Sequence, residues 1–153
     1  MTVRYLADKS ALARVHLPSV AARLQPLFVG GEVATCGIVD LQFLYSARTA
    51  DDYVAILADR QSLPRAEVGE RSLERAIEVQ TALARRGQHR GVTIPDLLIA
   101  AAAEAAGLSV LHYDSDFQRV AEVTGQPVEW VVPGGQHFLT SIQTGDVTDI
   151  ISD

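Results

Sequence analysis

Thr93-Ile94-Pro95-Asp96, followed by an apolar run broken only by Glu104 before Gly107, constrains this chain more than any other stretch. Thr93 suits a helix N-cap, and Pro95 suits a first turn, where its missing N–H costs nothing. Asp96 stands three residues after Thr93, the spacing of a capping box with Asp in place of Glu, and Gly107 supplies the stop. Leu108 to Tyr113 then reads as a buried strand with Asp114-Ser115-Asp116 at its carboxyl end. A helix that opens on a carboxylate and a strand that closes on two more fit an α/β fold. Its mostly parallel sheet, sandwiched between helices, gathers strand carboxyl ends and helix amino ends on one edge, where ligands bind.

The rest of the chain keeps that alternation. Val3 to Ala7 is a short strand ending at Asp8, and a helix follows with Ser10 as its expected cap. Helical periodicity runs from Val20 to Leu27, and Glu32–Cys36 reads as a second strand. A helix follows from Gly37, then a shorter one from Asp51 that Asp52 is expected to cap. The longest helical stretch is Val68–Arg86, and the connector around Ser62–Arg65 carries no strong signal. Asp116–Val123 is the last helix, with Asp116 as cap or first-turn residue, and Val128–Val132 the last strand. Residues 1–135 are expected to form one domain. The Ser-, Thr- and Gly-rich residues 136–153 form a tail, docked through its scattered apolar side chains or partly disordered.

Charge limits the function classes. The 13 basic and 19 acidic residues give a net charge of −6, which argues against a protein that coats nucleic acid through a basic surface. The most basic run is Arg85-Arg86-Gly87-Gln88-His89-Arg90. The single cysteine, Cys36, sits in an apolar strand, so it excludes an internal disulfide and fits a reducing cytoplasm. No run has signal-peptide or membrane-span character, so a cytoplasmic protein without membrane contact is expected. His16, His89, His112 and His137 lack metal-ligand spacing.

The acids form the chemical signal. Asp8, Asp96, Asp114 and Asp116 come from three separate segments, yet a parallel sheet delivers them to one cleft. Such a cluster repels itself unless a hard divalent cation such as Mg²⁺ or Mn²⁺ neutralises it. Asp96, Asp114 and Asp116 also have a plain structural role available, as a cap or as a dipole partner at a helix start, whereas Asp8 beside a buried strand is harder to explain that way.

At this point the chain resembles a known family. Leu6-Ala7-Asp8-Lys9-Ser10-Ala11-Leu12, Ile94-Pro95-Asp96-Leu97-Leu98-Ile99-Ala100-Ala101 and Leu111-His112-Tyr113-Asp114-Ser115-Asp116-Phe117 look like PIN-domain ribonucleases, most closely the VapC toxins of type II toxin–antitoxin pairs. Val128–Pro133 and Leu83–Arg90 look like one subgroup of these toxins, and the likeness spans roughly residues 2–135. The resemblance implies a PIN-like fold, Mg²⁺- or Mn²⁺-dependent endonucleolytic cleavage of structured RNA such as tRNA or rRNA, a cognate VapB-type antitoxin and a homodimer. It puts catalytic and metal-ligating acids at Asp8, Asp96 and Asp114, an accessory acid at Asp116 and a supporting hydroxyl at Ser10. RNA phosphates would meet Arg85, Arg86, His89 and Arg90. The family's Glu in the helix after the second strand falls on Gln42, which keeps an acceptor oxygen and loses the charge. Asp40, two residues earlier, points about 200° away by the helical repeat. Lys9 is a second departure, at a position where Thr is commoner. An acid-lined binding module without catalysis is the rival reading, and Gln42 is its best support.

Overall fold

A computed structural model describes residues 2–132. The expected tail, 136–153, lies outside the described residues. The chain runs β1 (Tyr5–Ala7), α1 (Lys9–Leu12), α2 (Pro18–Val29), β2 (Val33–Ala34), α3 (Gly37–Tyr45), α4 (Ala50–Gln61), α5 (Glu70–Ala84), α6 (Ile94–Ala106), β3 (Ser109–His112), α7 (Ser115–Thr124) and β4 (Val128–Trp130). The strands form a parallel sheet in the order β2-β1-β3-β4.

Successive strand residues point to opposite faces, and the two cores divide accordingly. Leu6, Ala34 and Val110 face the side covered by α5, α6 and α7. Tyr5, Ala7, Val33 and Leu111 face α1 and α2 through Ala11, Val20 and Leu24. The alanines at 100–103 on α6 are all buried, and their small side chains let that helix lie close to its neighbours. Gly107 ends α6 at φ 70°, a left-handed conformation that glycine adopts without steric cost, and its N–H is taken up by the carbonyls of Ala103 and Glu104.

The chain leaves β1 for β2 on one side and later returns to β3 on the other. The strand order therefore reverses between β1 and β3, and the crevice beyond their carboxyl ends is where such sheets bind ligands. Asp8 follows β1 and Asp114 follows β3 closely, so both stand at that crevice.

Several sequence expectations change. The second strand is shorter than Glu32–Cys36, because Thr35 leaves the β1 ladder to bridge Arg65. The connector near Pro64 thus gains a sheet role: Thr35 N–H donates to the Pro64 carbonyl, and Ala66 N–H donates to that of Thr35. Thr49, not Asp52, caps α4, accepting from the Asp52 N–H at 3.0 Å. Asp40 is turned away from the crevice and buried, with its carboxylate accepting from Thr35 Oγ1, Arg60 Nε and Arg65 Nη2. Burial opposes its charge, but the hydrogen bonds from Arg65, Arg60 and Thr35 win and hold the carboxyl below the usual carboxylate range. This pairing ties α3 to α4 and to the Arg65 connector.

Removing one member of a buried charge network strands the others. Asp40→Asn should therefore destabilise the fold by about 3 kcal/mol, measured by urea unfolding at neutral pH. A loss within about 0.5 kcal/mol would mean that the network carries no net stability.

Candidate active site

The cleft beyond β1 and β3 has a volume of about 340 Å³ and is lined by Asp8, Lys9, Ser10, Ala13, Gln42, Thr93, Asp96 and Asp114. Each acid is held by a local feature of the chain. Asp8, not Ser10, is the N-cap of α1, and its Oδ2 accepts from the Ser10 N–H at 3.0 Å. Ser10 Oγ accepts from the Tyr113 N–H at 2.8 Å, which ties α1 to the end of β3. Asp114, not Asp116, caps α7, with Oδ1 accepting from the Asp116 N–H at 3.0 Å.

The start of α6 departs from the expected capping box in an informative way. Thr93 Oγ1 accepts from the Asp96 N–H, as a cap should. The Thr93 N–H donates to Asp116 Oδ2 at 3.2 Å, not to Asp96. Asp116 Oδ1 also accepts from Arg119, which donates in turn to the Gly91 carbonyl. Asp116 thus staples α7 to the entry of α6, and the Asp96 carboxyl is left to face the cleft. Carboxylate oxygens of Asp96, Asp114 and Asp116 come within 4.8 Å of one another.

Electrostatics at this cluster are unfavourable. Burial, then the contact with Asp116 and the charges of Asp8, Asp114 and Asp116, push the Asp96 carboxyl up to about 8. Burial also raises Asp8 despite the hydrogen bonds from Ser10. Asp8 Oδ1 and Gln42 Oε1 are buried without a hydrogen-bond partner among the described residues. A donor set made of oxygens, with excess negative charge and unmet acceptors, suits a hard divalent cation. Asp8, Asp96 and Asp114 line the cleft and would hold such an ion, with Gln42 supplying a neutral oxygen.

Other expected residues lie elsewhere. Arg85, Arg86, His89 and Arg90 are exposed on the loop between α5 and α6 and do not line the cleft. Arg86 lies 3.9 Å from Glu122. His112 is fully buried, and burial drives its ring down to about 4, so it is neutral. Its Nδ1 accepts from the Asp114 N–H at 3.2 Å, and the ring does not line the cleft. Cys36 is buried and burial raises its thiol, so it is inert. Lys9 is the cleft residue that sequence reasoning undervalued; its position directly after Asp8 was the available signal.

The family model described as PIN domain matches residues 5–123. The chain is 51% identical over 136 residues to "Ribonuclease VapC21" of Mycobacterium tuberculosis, covering 88% of this chain and 99% of the relative. It is 44% identical over 135 residues to "Ribonuclease VapC51" of the same organism, covering 88% and 98%. Among solved structures it is similar to DNA-bound VapBC from Salmonella typhimurium, with a TM-score of 0.65 at 18% identity, covering 84% of this chain and 98% of that one. It is also similar to VapBC-5 from Mycobacterium tuberculosis, a member of the VapBC family of toxin–antitoxin systems, with a TM-score of 0.55 at 25% identity over 86% and 98%.

The raised carboxyl of Asp96 has a measurable consequence. Between the ordinary aspartate range and about pH 8 the folded chain holds a proton that the unfolded chain has lost, so stability falls as pH rises through that window. Metal-free protein should melt at a lower temperature at pH 8 than at pH 7, a range above the one in which the lowered His112 ring has the opposite effect, and Asp96→Asn should shrink the difference. Asp40 does not mask the effect, because its lowered carboxyl is ionised in both states throughout this range. A pH-independent melt for the wild-type chain would contradict the assignment.

Proposed function

The chain belongs to the PIN-domain family, and on that premise we propose that it is the endoribonuclease toxin of a type II toxin–antitoxin module, acting on structured RNA such as tRNA or rRNA with Mg²⁺ or Mn²⁺. The observation that carries this reading is the convergence of Asp8, Asp96 and Asp114 on one cleft, together with an acid cluster that is electrostatically unsatisfied by itself. When bound, a divalent cation would neutralise these acids, polarise a phosphodiester oxygen and make water a better nucleophile.

The chain's own residues do the positioning. Asp8, Asp96 and Asp114 would hold the cation. Ser10 fixes the end of α1 against β3, so that Asp8 and Asp114 keep their spacing. Asp116 braces the entry of α6 and sets where Asp96 points. Gln42 offers an amide oxygen that orients water by hydrogen bonding without adding charge. Arg85, Arg86, His89 and Arg90 meet RNA phosphates outside the cleft, where charge adds to affinity without reading sequence.

A VapB-type antitoxin is the partner this reading requires. An apolar groove of about 430 Å³, lined by Leu12, Val15, Leu24, Phe28 and Phe43, lies beside the cleft, since α1 and α3 contribute to both. An amphipathic segment laid there would bring a basic side chain to the acids, where charge-assisted hydrogen bonds form. Leu73, Ile77 and Ile94 are exposed together across α5 and α6 and supply an apolar face for a homodimer. No helix among the described residues is long and apolar enough to cross a membrane, and a cytoplasmic location is part of the same proposal. Gln42 favours a second reading, in which the acid cleft binds a cation and partner without cleaving RNA.

One measurement tests the cation site that both readings share, and a second separates them. Calorimetry with Mn²⁺ at pH 7 should show binding with release of about one proton, because the Asp96 carboxyl must ionise to become a ligand. Asp8→Ala should abolish that binding, and unchanged binding would remove the basis of the mechanism. The wild-type chain should cleave RNA weakly. Gln42→Glu should raise metal-dependent cleavage at least about tenfold, or roughly 1.4 kcal/mol of barrier. Equal rates for the wild-type chain and for Asp96→Asn would favour the non-catalytic reading.

A further inference from the structure

Lys9 stands in the acid cleft without being an acid's partner. Its Nζ donates to the main-chain carbonyl of Gln42 at 3.2 Å and lies 5.6 Å from the centre of the Phe43 ring. Among the described residues no carboxylate lies within ion-pairing distance of it, although Asp8, Asp96 and Asp114 line the same cleft. It is the one cationic side chain among the described residues lining that cleft.

The chain builds this position on purpose-shaped local structure. Gln42 lies in the last turn of α3, where carbonyls lack an intrahelical donor and the helix dipole is negative. The Ser46 N–H that would meet the Gln42 carbonyl in a regular turn donates to Phe43 instead, so the carbonyl is left for Lys9. The aromatic face of Phe43 holds the ammonium from a second direction. A lysine needed only as a helix cap would gain more by turning out to solvent or by pairing with a neighbouring acid. Here a flexible side chain is fixed by neutral partners, one a carbonyl and one a ring. Its charge therefore remains unneutralised beside the acids. The neutral amide of Gln42 contributes, because a carboxylate on the residue that Lys9 grips would draw the ammonium into an ion pair.

The acids Asp96, Asp114 and Asp116 cluster on the α6–α7 side of the cleft, whereas Lys9 and Gln42 belong to α1 and α3. We propose that Lys9 is a phosphate-binding residue, which takes a non-bridging oxygen of an RNA phosphate on the α1–α3 side and so positions the backbone across the acids. This inference rests on the nuclease reading, and it adds a fixed cation to a cleft whose other charged lining residues are acids. Lysine acts at phosphate as a compact charge with three donors, which needs no bidentate geometry.

The test is binding of a mixed-sequence, fluorescein-labelled single-stranded RNA, followed by anisotropy over a salt series. Ca²⁺ replaces Mg²⁺, and gels verify that the RNA stays intact. Lys9→Gln keeps a donor for the Gln42 carbonyl and removes the charge; Lys9→Met keeps the stem against Phe43. Whichever neutral variant retains the wild-type melting temperature is the one to read. It should bind more weakly and lower the slope of log affinity against log salt by about 0.7, the value of one single-stranded phosphate contact, while Lys9→Arg keeps the wild-type slope. A purely structural lysine would leave that slope unmoved. Wild-type slope in the neutral variant, with wild-type binding itself salt-dependent, would overturn the role of Lys9 and leave the nuclease reading standing. Absence of salt-dependent RNA binding by the wild-type chain would overturn both.

Discussion

Everything chemical in this protein depends on the parallel pairing of β1 with β3, in the register Ala7 to Leu111. The pairing places the residues that follow the two strands side by side, and neither strand is long enough to persist alone. It is reinforced just beyond its end: Asp8 N–H donates to the Leu111 carbonyl, and Ser10 Oγ accepts from Tyr113 N–H. These bonds carry the sheet's order into the first turn of α1, a helix too short to hold its own geometry. Buried Leu6, Ala7, Val110 and Leu111 supply the apolar weight behind the pairing.

The cost of the arrangement falls on the acids. Asp8 and Asp96 are buried where their charge is disfavoured, a cost that a stability-optimised fold would avoid. Asp40 shows the contrast within the same chain. It is equally buried, yet two guanidinium groups and a hydroxyl surround it, and its charge is favoured. Acids with partners on all sides serve the fold, whereas acids left facing a cleft mark a place where a cation or ligand completes the surroundings.

The sequence made the α/β alternation readable, because Thr93, Pro95 and Gly107 bracket α6 by backbone chemistry that neighbours do not override. It also put an acid after each of two strands. Which acid does which task was not readable. Asp8 against Ser10, and Asp114 against Asp116, are pairs in which either member suits a cap, and the choice follows from where the preceding strand delivers the backbone. The bond from Asp116 to the Thr93 N–H joins residues 23 positions apart, so local spacing pointed instead to Asp96. Asp40 points away from the cleft, as the helical repeat implies, but its partners Arg60 and Arg65 come from the following segments and were not readable. The basic run at 85–90 announced exposure, and charge alone does not tell which way a loop faces. Lys9 depends on a carbonyl of α3, and main-chain acceptors leave no trace in a sequence pattern.

The joint between Ser10 and Tyr113 spans 103 positions, and it has a consequence for the time order of synthesis. At about 5–20 residues per second on the ribosome, roughly 5–20 s pass between the emergence of the first acid and that of the last. Until β3 has been made, β1 lacks the strand that pairs with it on that side, and Asp114 is absent. A truncated chain of any length short of β3 therefore carries no assembled acid set. The acids meet only once β3 has joined β1.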